Sequence, residues 1–193
     1  MTSLPTSRPN RRLLIPVSLA SAGLLVLTGC GGAADDAVAA TATTEQADGP
    51  TTVEVELVDF DFVGLPDSIN AGTALTVTNT AERELHELVA FRLADDDERS
   101  VEELTRLSPV ELVEALGEPR TVILAEPGGD AIFAVGDGTL DEPGRYALMC
   151  FIPTGVEPAV YLQAAAETEE GPPQVDGGPP HFVHGMYAQV TVD

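Results

Sequence analysis

The sequence predicts an all-β fold, a sandwich of about seven strands with one short helical insertion. Short apolar runs rich in Val, Ile, Phe and Tyr recur along residues 53–193, and turn residues separate them. Helical capping signals occur in one stretch only, residues 100–117. The segment 53–193 is long enough to form one domain with a single adequate core.

The first strand is predicted over residues 53–62. Its apolar residues alternate with polar ones, but the alternation slips by one residue after Leu57. We interpret that slip as a β-bulge, which inserts one extra residue into a strand. A turn at 64–67 and a second strand at 74–78 follow.

The later strands include one that is apolar at nearly every position, over residues 85–93, with His86 near its start. This pattern predicts a central strand that is buried on both faces. The turn signals between the strands favour antiparallel pairing. The four remaining strands are predicted at 121–124, 131–135, 146–151 and 187–192.

The helical insertion is predicted at residues 100–117 from two capping boxes. Ser100 and Ser108 each precede a glutamate by three residues, so each serine and its glutamate can satisfy backbone N–H groups reciprocally. Pro109 stands at a first helical position and Gly117 at a helix end. We expect two short helices that pack their leucines against the sheet: 101–107 with Leu104 and Leu107, and 109–116 with Leu112 and Leu116.

A second irregular stretch, residues 153–180, contains six prolines and five acidic residues. It is predicted to be a long surface loop with one turn of helix around 159–166. A loop of this length inside a compact domain is usually functional or disordered.

The N-terminal segment is typical of an exported protein. Arginines precede an uncharged apolar run at 13–27, which is the pattern of a signal peptide. The residues Leu27–Cys30 resemble the lipobox of bacterial lipoproteins, which implies cleavage after residue 29 and a lipid on Cys30. We therefore expect a signal peptide at 1–29, a flexible tether at 30–52, and a domain held by its lipid at the outer face of the cytoplasmic membrane.

The charge of the chain excludes several classes of partner. The mature chain would carry 6 arginines, no lysine and 32 acidic residues, a formal charge of −26. Such a field repels nucleic acid and anionic headgroups, and it favours a protein partner with a basic docking face. No phosphate-binding loop or nucleophile elbow is present, so we expect neither an enzyme nor a small-molecule substrate.

Five residues could supply soft or borderline metal ligands. Cys150 would be the only thiol of the exported domain, which leaves an inert buried thiol, an intermolecular bridge or a metal ligand as its role. Two histidines and a cysteine with a weak axial methionine form the copper site of electron-transfer proteins. The candidate ligands are His86, Cys150, His181, His184 and Met186.

Three segments resemble the cupredoxin family, to which plastocyanin belongs. Residues 79–87 have an Asn before the first histidine, 144–150 have the G-x-Y-x-x-x-C strand, and 181–186 have His and Met five apart. The resemblance implies a Greek-key sandwich and one copper ion that cycles between Cu(I) and Cu(II). It also implies these ligand roles: His86, Cys150 and His181 equatorial, Met186 axial, and Asn79 supporting the site from outside the ligand set.

One departure from the family concerns the residues between the cysteine and the second histidine. Cupredoxins separate these ligands by a few residues, whereas residues 151–180 intervene here. The length of that loop leaves His184 as an alternative to His181. Three functions stay open: a one-electron carrier, a copper-handling protein that passes its metal on, and a metal-free interaction module.

Overall fold

The computed structural model describes residues 51–168 and 171–193. The predicted signal peptide, Cys30 and nearly all of the predicted tether lie outside these residues. The described part contains two β-sheets, which confirms the predicted β-sandwich. No helix in it is long and apolar enough to cross a bilayer.

The described residues contain ten strands rather than about seven, because the predicted first strand is two strands and the sequence patterns miss two strands of two residues each. The strands are β1 Thr52–Val58, β2 Asp61–Val63, β3 Ser68–Ile69, β4 Thr73–Asn79, β5 His86–Arg92, β6 Thr121–Ala125, β7 Ile132–Val135, β8 Thr139–Leu140, β9 Gly144–Met149 and β10 Tyr187–Val192. The helices are α1 Val101–Leu104, α2 Pro109–Leu116 and α3 Pro158–Glu167, and a 3₁₀ helix spans His181–His184.

The sheets have the strand orders β2-β1-β4-β8 and β3-β10-β9-β5-β6-β7. The prediction of wholly antiparallel pairing is wrong, because β1 pairs with β4 in parallel and β10 pairs with β3 in parallel. The reason is the path of the chain. After β1 it reverses into β2 and crosses to the other sheet as β3, so it returns as β4 in the direction of β1.

The predicted bulge near Leu57 is also wrong, since the chain turns back at this point. β1 and β2 form an antiparallel hairpin in which Leu57 lies opposite Phe62. Asp59 and Phe60 form its two-residue turn, and Phe60 has a positive φ of 66°. The alternation slips because Leu57 and Phe62 face the same core from the two strands of one hairpin.

Two apolar cores cover the two faces of the six-stranded sheet. The inner core lies between the sheets and includes Leu57, Leu88 and Leu148. The outer core packs leucines of α1 and α2 against β5 and β9. The central strand β5 is therefore buried on both faces, as its apolar run predicts.

The helical insertion follows its capping signals closely. Both capping boxes form, with Ser100 and Ser108 each accepting the N–H of a glutamate three residues on. The first helix ends at Leu104 instead of continuing to residue 107. The leucine packing on the sheet is confirmed, with Leu107 only partly buried.

The stretch 153–180 contains more helix than predicted. Where one turn of helix is predicted around residues 159–166, the structure has the ten-residue helix α3, which begins at Pro158. Its Tyr161 is buried in the inner core, so tertiary packing supports a helix whose own sequence gives only a weak amphipathic pattern.

Candidate metal centre

Three potential ligands converge from three separate elements. His86 begins β5, Cys150 follows the end of β9, and His181 begins the 3₁₀ helix. His86 Nδ1 and His181 Nδ1 are 3.0 Å apart, and Cys150 Sγ is 3.3 Å from His181 Nδ1. All three donor atoms lie within 4.8 Å of one another, and all three residues are fully buried. They form a candidate copper site.

The adjacency of β5 and β9 brings the first two ligands together. The two strands pair antiparallel, with Val89 opposite Met149. His86 at the start of β5 and Cys150 just after the end of β9 therefore lie at the same end of these two strands. Because both strands are central and buried, the positions of these two side chains are fixed by the sheet itself.

The neck, formed by residues 150–154 and 178–182, brings His181 to the same place. The His181 N–H donates to Ile152 O over 3.0 Å and the Phe182 N–H donates to Cys150 O over 2.9 Å. Pro153 and Pro180 form a β-bridge further along. The two segments of the neck thus lie side by side, and residues 155–177, which include α3, form a loop between them. The length of this loop therefore does not separate Cys150 from His181.

Met186 is tied through its backbone to two of the converging residues. Its N–H donates to His181 O and its O accepts the N–H of Cys150, each over 3.2 Å. The Met186 side chain is fully buried. His184, at the other end of the 3₁₀ helix, is exposed and does not belong to the converging donor cluster.

Two carboxylates lie near the Nε2 atoms of His86 and His181, whose Nδ1 atoms face each other. Asp59 Oδ1 is 3.4 Å from His86 Nε2, and Glu84 Oε2 is 3.6 Å from His181 Nε2. A carboxylate at Nε2 favours the tautomer that carries its proton there, and this leaves the lone pair of Nδ1 for a metal. Sequence patterns give no signal for Asp59, because only the hairpin brings it to the site.

The donor set fits a cation between the two Nδ1 atoms. The two Nδ1 atoms, 3.0 Å apart, repel each other unless a proton on one of them or a bound cation lies between them. His181 Nε2 has no hydrogen-bond partner among the described residues, although Glu84 is close. A metal on Nδ1 would make that Nε2–H a stronger donor towards Glu84.

Burial keeps the metal-free site electrically neutral. Desolvation raises the pKa of the Cys150 thiol, and the nearby Glu87 carboxylate raises it further. Desolvation lowers the pKa of His86 and lowers that of His181 to about 3. At neutral pH the site therefore holds a thiol and two neutral imidazoles, and a bound cation would displace the thiol proton.

Asn79 organises the loop that leads to His86. Its Nδ2 donates to Glu84 O over 2.9 Å and to Ala125 O over 2.7 Å, and its Oδ1 accepts the Ala81 N–H. Ala125 lies opposite His86 in the β5–β6 register. Asn79 thus hydrogen-bonds the backbone two residues before His86 and the backbone of the residue opposite His86 in β6.

Glu87 is a residue of the site that sequence reasoning missed. Its N–H donates to Cys150 Sγ over 3.4 Å, and its carboxylate accepts the Phe151 N–H over 3.0 Å and lies 3.5 Å from Tyr161 Oη. Burial raises the pKa of Glu87 to about 7. A charged residue inside an otherwise apolar strand is the one sequence signal that could have identified it.

Comparison with protein-family models and with curated proteins gave no match. Among solved structures, the chain is similar to dithionite-reduced auracyanin from the photosynthetic bacterium Roseiflexus castenholzii, with 19% identity and a TM-score of 0.40 over 75% of this chain and 99% of that one. Auracyanin B is 17% identical, with a TM-score of 0.33, over 76% of this chain and 91% of that one. Auracyanin A, a "blue" copper protein from Chloroflexus aurantiacus, is 14% identical, with a TM-score of 0.32, over 55% of this chain and 90% of that one. These identities and TM-scores indicate only a remote similarity.

Proposed function

We propose that this chain is a one-electron carrier with a single copper ion held by His86, Cys150, His181 and Met186. The observation that supports this most is the convergence of one thiol and two imidazole Nδ1 atoms within 4.8 Å in a fully buried position. Thiolate and imidazole together suit both Cu(I) and Cu(II), whereas a set of carboxylates would favour harder ions.

The positions of three of the four residues support this proposal. His86 and Cys150 lie on or beside adjacent strands of the sheet, and hydrogen bonds of the neck place His181 next to them. When bound, copper supplies the exchange of one electron. The protein residues supply a thiolate and two neutral imidazoles, exclude water by burial, and orient the rings through Asp59 and Glu84.

The visible absorption spectrum of the purified chain after addition of Cu(II) tests this function. We expect an intense thiolate-to-copper band with one copper per chain, and no such band in Cys150→Ser. A chain that binds one copper without the band would favour the copper-handling alternative. A chain that binds no copper would favour the metal-free interaction module.

We further propose that a lipid on Cys30 anchors the chain at the outer face of the cytoplasmic membrane and that residues 30–52 act as its tether. The lipobox resemblance supports this. Labelling of intact cells with a fatty-acid analogue should mark the wild type and spare Cys30→Ser. Equal labelling of both proteins would rule out the anchor.

The redox partner proposed for this carrier has a basic docking face. The support is the formal charge of −23 for the whole chain, with 9 basic residues against 32 acidic ones. Opposite charge speeds the encounter of two proteins, and salt slows it.

A further inference from the structure

The aromatic ring of Phe60 lies against all three histidines of the chain. Its centroid is 5.0 Å from that of His181, 5.1 Å from that of His184 and 6.5 Å from that of His86. The contacts with His181 and His86 are edge-to-face, an arrangement that stabilises aromatic pairs. The hairpin turn between β1 and β2 thus carries an apolar side chain directly to the candidate metal centre.

The backbone at Phe60 is strained. Its φ of 66° makes it the only non-glycine residue with positive φ in the described part of the chain. A bulky residue in this conformation is unusual and strained, whereas Gly or Asn would avoid most of that strain. Strain of this kind is retained where the side chain has a role that a smaller residue cannot fill.

The pattern of burial indicates what that role is. His86 and His181 have no exposed surface, Phe60 is partly exposed, and His184 is exposed. The ring of Phe60 therefore lies at the boundary between the buried imidazoles and solvent.

We propose that Phe60 is a positioning residue that closes the solvent side of the metal centre over His181. The ring keeps water and dissolved ligands away from the donor atoms and holds the His181 ring edge-on in the pocket. This inference rests on the proposed function for its meaning, because such a cover matters only if the donor atoms hold an ion. Its first test nevertheless needs no metal.

The test measures how fast iodoacetamide alkylates Cys150 in the metal-free full chain. The chain carries Cys30→Ser, so that Cys150 is its single thiol. The variant Phe60→Gly removes the ring and also accepts the positive φ without strain. We expect its alkylation rate to rise at least about tenfold over the parent protein, because the cover is lost without unfolding of the domain.

Two controls separate the cover from general destabilisation. Phe60→Tyr keeps an aromatic ring and should react at the parent rate. Phe133→Ala removes a half-exposed ring from the edge strand β7 and should also leave the rate unchanged. Unfolding free energies of all variants, measured in urea, show whether a faster reaction follows global unfolding.

An equal rate in Phe60→Gly and the parent would overturn the proposal. So would a fast Phe60→Tyr, or a rate increase that follows the global unfolding free energy. A second readout uses the copper-loaded chain, from which a chelator should remove copper faster in Phe60→Gly. If no variant binds copper, the proposed function fails while the alkylation test still decides the role of Phe60.

Discussion

His181 and His184 stand three positions apart at the two ends of a single 3₁₀ helix, yet they have opposite environments. His181 is fully buried with its Nδ1 beside Cys150 Sγ, and His184 is exposed with its ring against Phe60. The sequence leaves both residues open as the second imidazole ligand. The geometry favours His181, because the neck hydrogen-bonds His181 and Phe182 to the segment that carries Cys150.

We therefore predict that His181→Ala abolishes the thiolate-to-copper band or converts it to that of a different site. A trigonal thiolate site cannot keep its electronic structure with one imidazole missing. His184→Ala should leave the spectrum nearly unchanged. Spectra of the two variants, recorded side by side with Cu(II), measure this, and a lost band in the His184 variant alone would reverse the assignment.

Asp97 shows how a single carboxylate stabilises the loop before the helical insertion. It accepts hydrogen bonds from Arg99 Nε over 2.9 Å and from Arg99 Nη2 over 2.6 Å. The Arg99 guanidinium lowers the pKa of Asp97 from its usual 3.8 to about 2. A lowered pKa in the folded state means that this group stabilises the fold above its unfolded pKa and stops doing so as the pH falls through the folded value.

Asp97→Asn should lower the free energy of unfolding by about 1 kcal/mol at pH 7, a modest value because Arg99 is partly exposed. The difference from the wild type should close as the pH falls from 3.8 towards about 2. Urea unfolding of the metal-free protein at several pH values measures this. The exposed neighbour Asp96 gives the control variant Asp96→Asn, and a pH-independent difference at Asp97 would contradict the ion pair.

At the scale of elements, the neck is the feature that positions His181. Gly177, the residue just before its second segment, is tightly packed against it: an added Cβ would lie 2.6 Å from Pro153 Cβ and 2.7 Å from Val156 Cγ2. Neither atom belongs to a long flexible side chain, so the neck would have to move to accept a methyl group there. The packing of Gly177 against the neck therefore affects the position of His181.

Gly177→Ala should destabilise the protein by roughly 1–3 kcal/mol, the usual cost of overpacking. It should also weaken copper retention, because the segment that carries His181 shifts with the neck. Thermal unfolding and copper titration measure the two effects. Gly129→Ala serves as the comparison away from the neck and should cost less, since its new Cβ would meet Glu126 at 3.3 Å, a tight but milder contact. Equal behaviour of both variants would show that the neck does not hold the ligand.

The sequence predicts some elements well and others poorly for physical reasons. The strand with His86 is recovered because burial on both faces produces a long apolar run. The hairpin at Phe60 is missed because its turn has no Asn or Gly where φ is positive. Strands β3 and β8 have two residues each, which is too short for any periodicity.

Some residues of the candidate site can likewise be predicted from the sequence, and others cannot. His86, Cys150 and His181 are predicted because their residue types carry metal chemistry and their order resembles a known family. Asp59 and Glu84 are not predicted, because acidic residues are common in this chain and only tertiary contacts distinguish these two. Glu87 is missed although its position inside an apolar strand is a sequence signal.

At the scale of the whole molecule, negative charge is the dominant feature. The chain has 32 acidic residues and 9 basic ones, and a formal charge of −23. The ion pairs of the described residues occupy arginines near the helical insertion and the neighbouring strand ends. Most carboxylates therefore repel one another, and this repulsion opposes the compact state.

We predict that raising NaCl from about 10 mM to 200 mM increases the melting temperature by roughly 2–5 °C, because salt screens the repulsion between carboxylates. Scanning calorimetry of the metal-free protein measures this. Staying below 200 mM keeps ion-specific effects on apolar burial small. A melting temperature that falls or stays constant would mean that the ion pairs outweigh the repulsion.

The two cores on either side of β5 have a consequence for the order in which the domain opens. The amides of β5 and β9 bond within the middle of the sheet and are covered on both faces, so their hydrogen exchange should require near-global unfolding. His181 is also buried, but it lies in a four-residue 3₁₀ helix outside the sheet, so its segment can open by breaking only the hydrogen bonds of the neck. A bound ion would thus be held by His86 and Cys150 beside the central strands and by His181 on a segment that opens at a lower free energy. The residence time of the ion would depend on openings of that segment more than on the global stability of the sandwich.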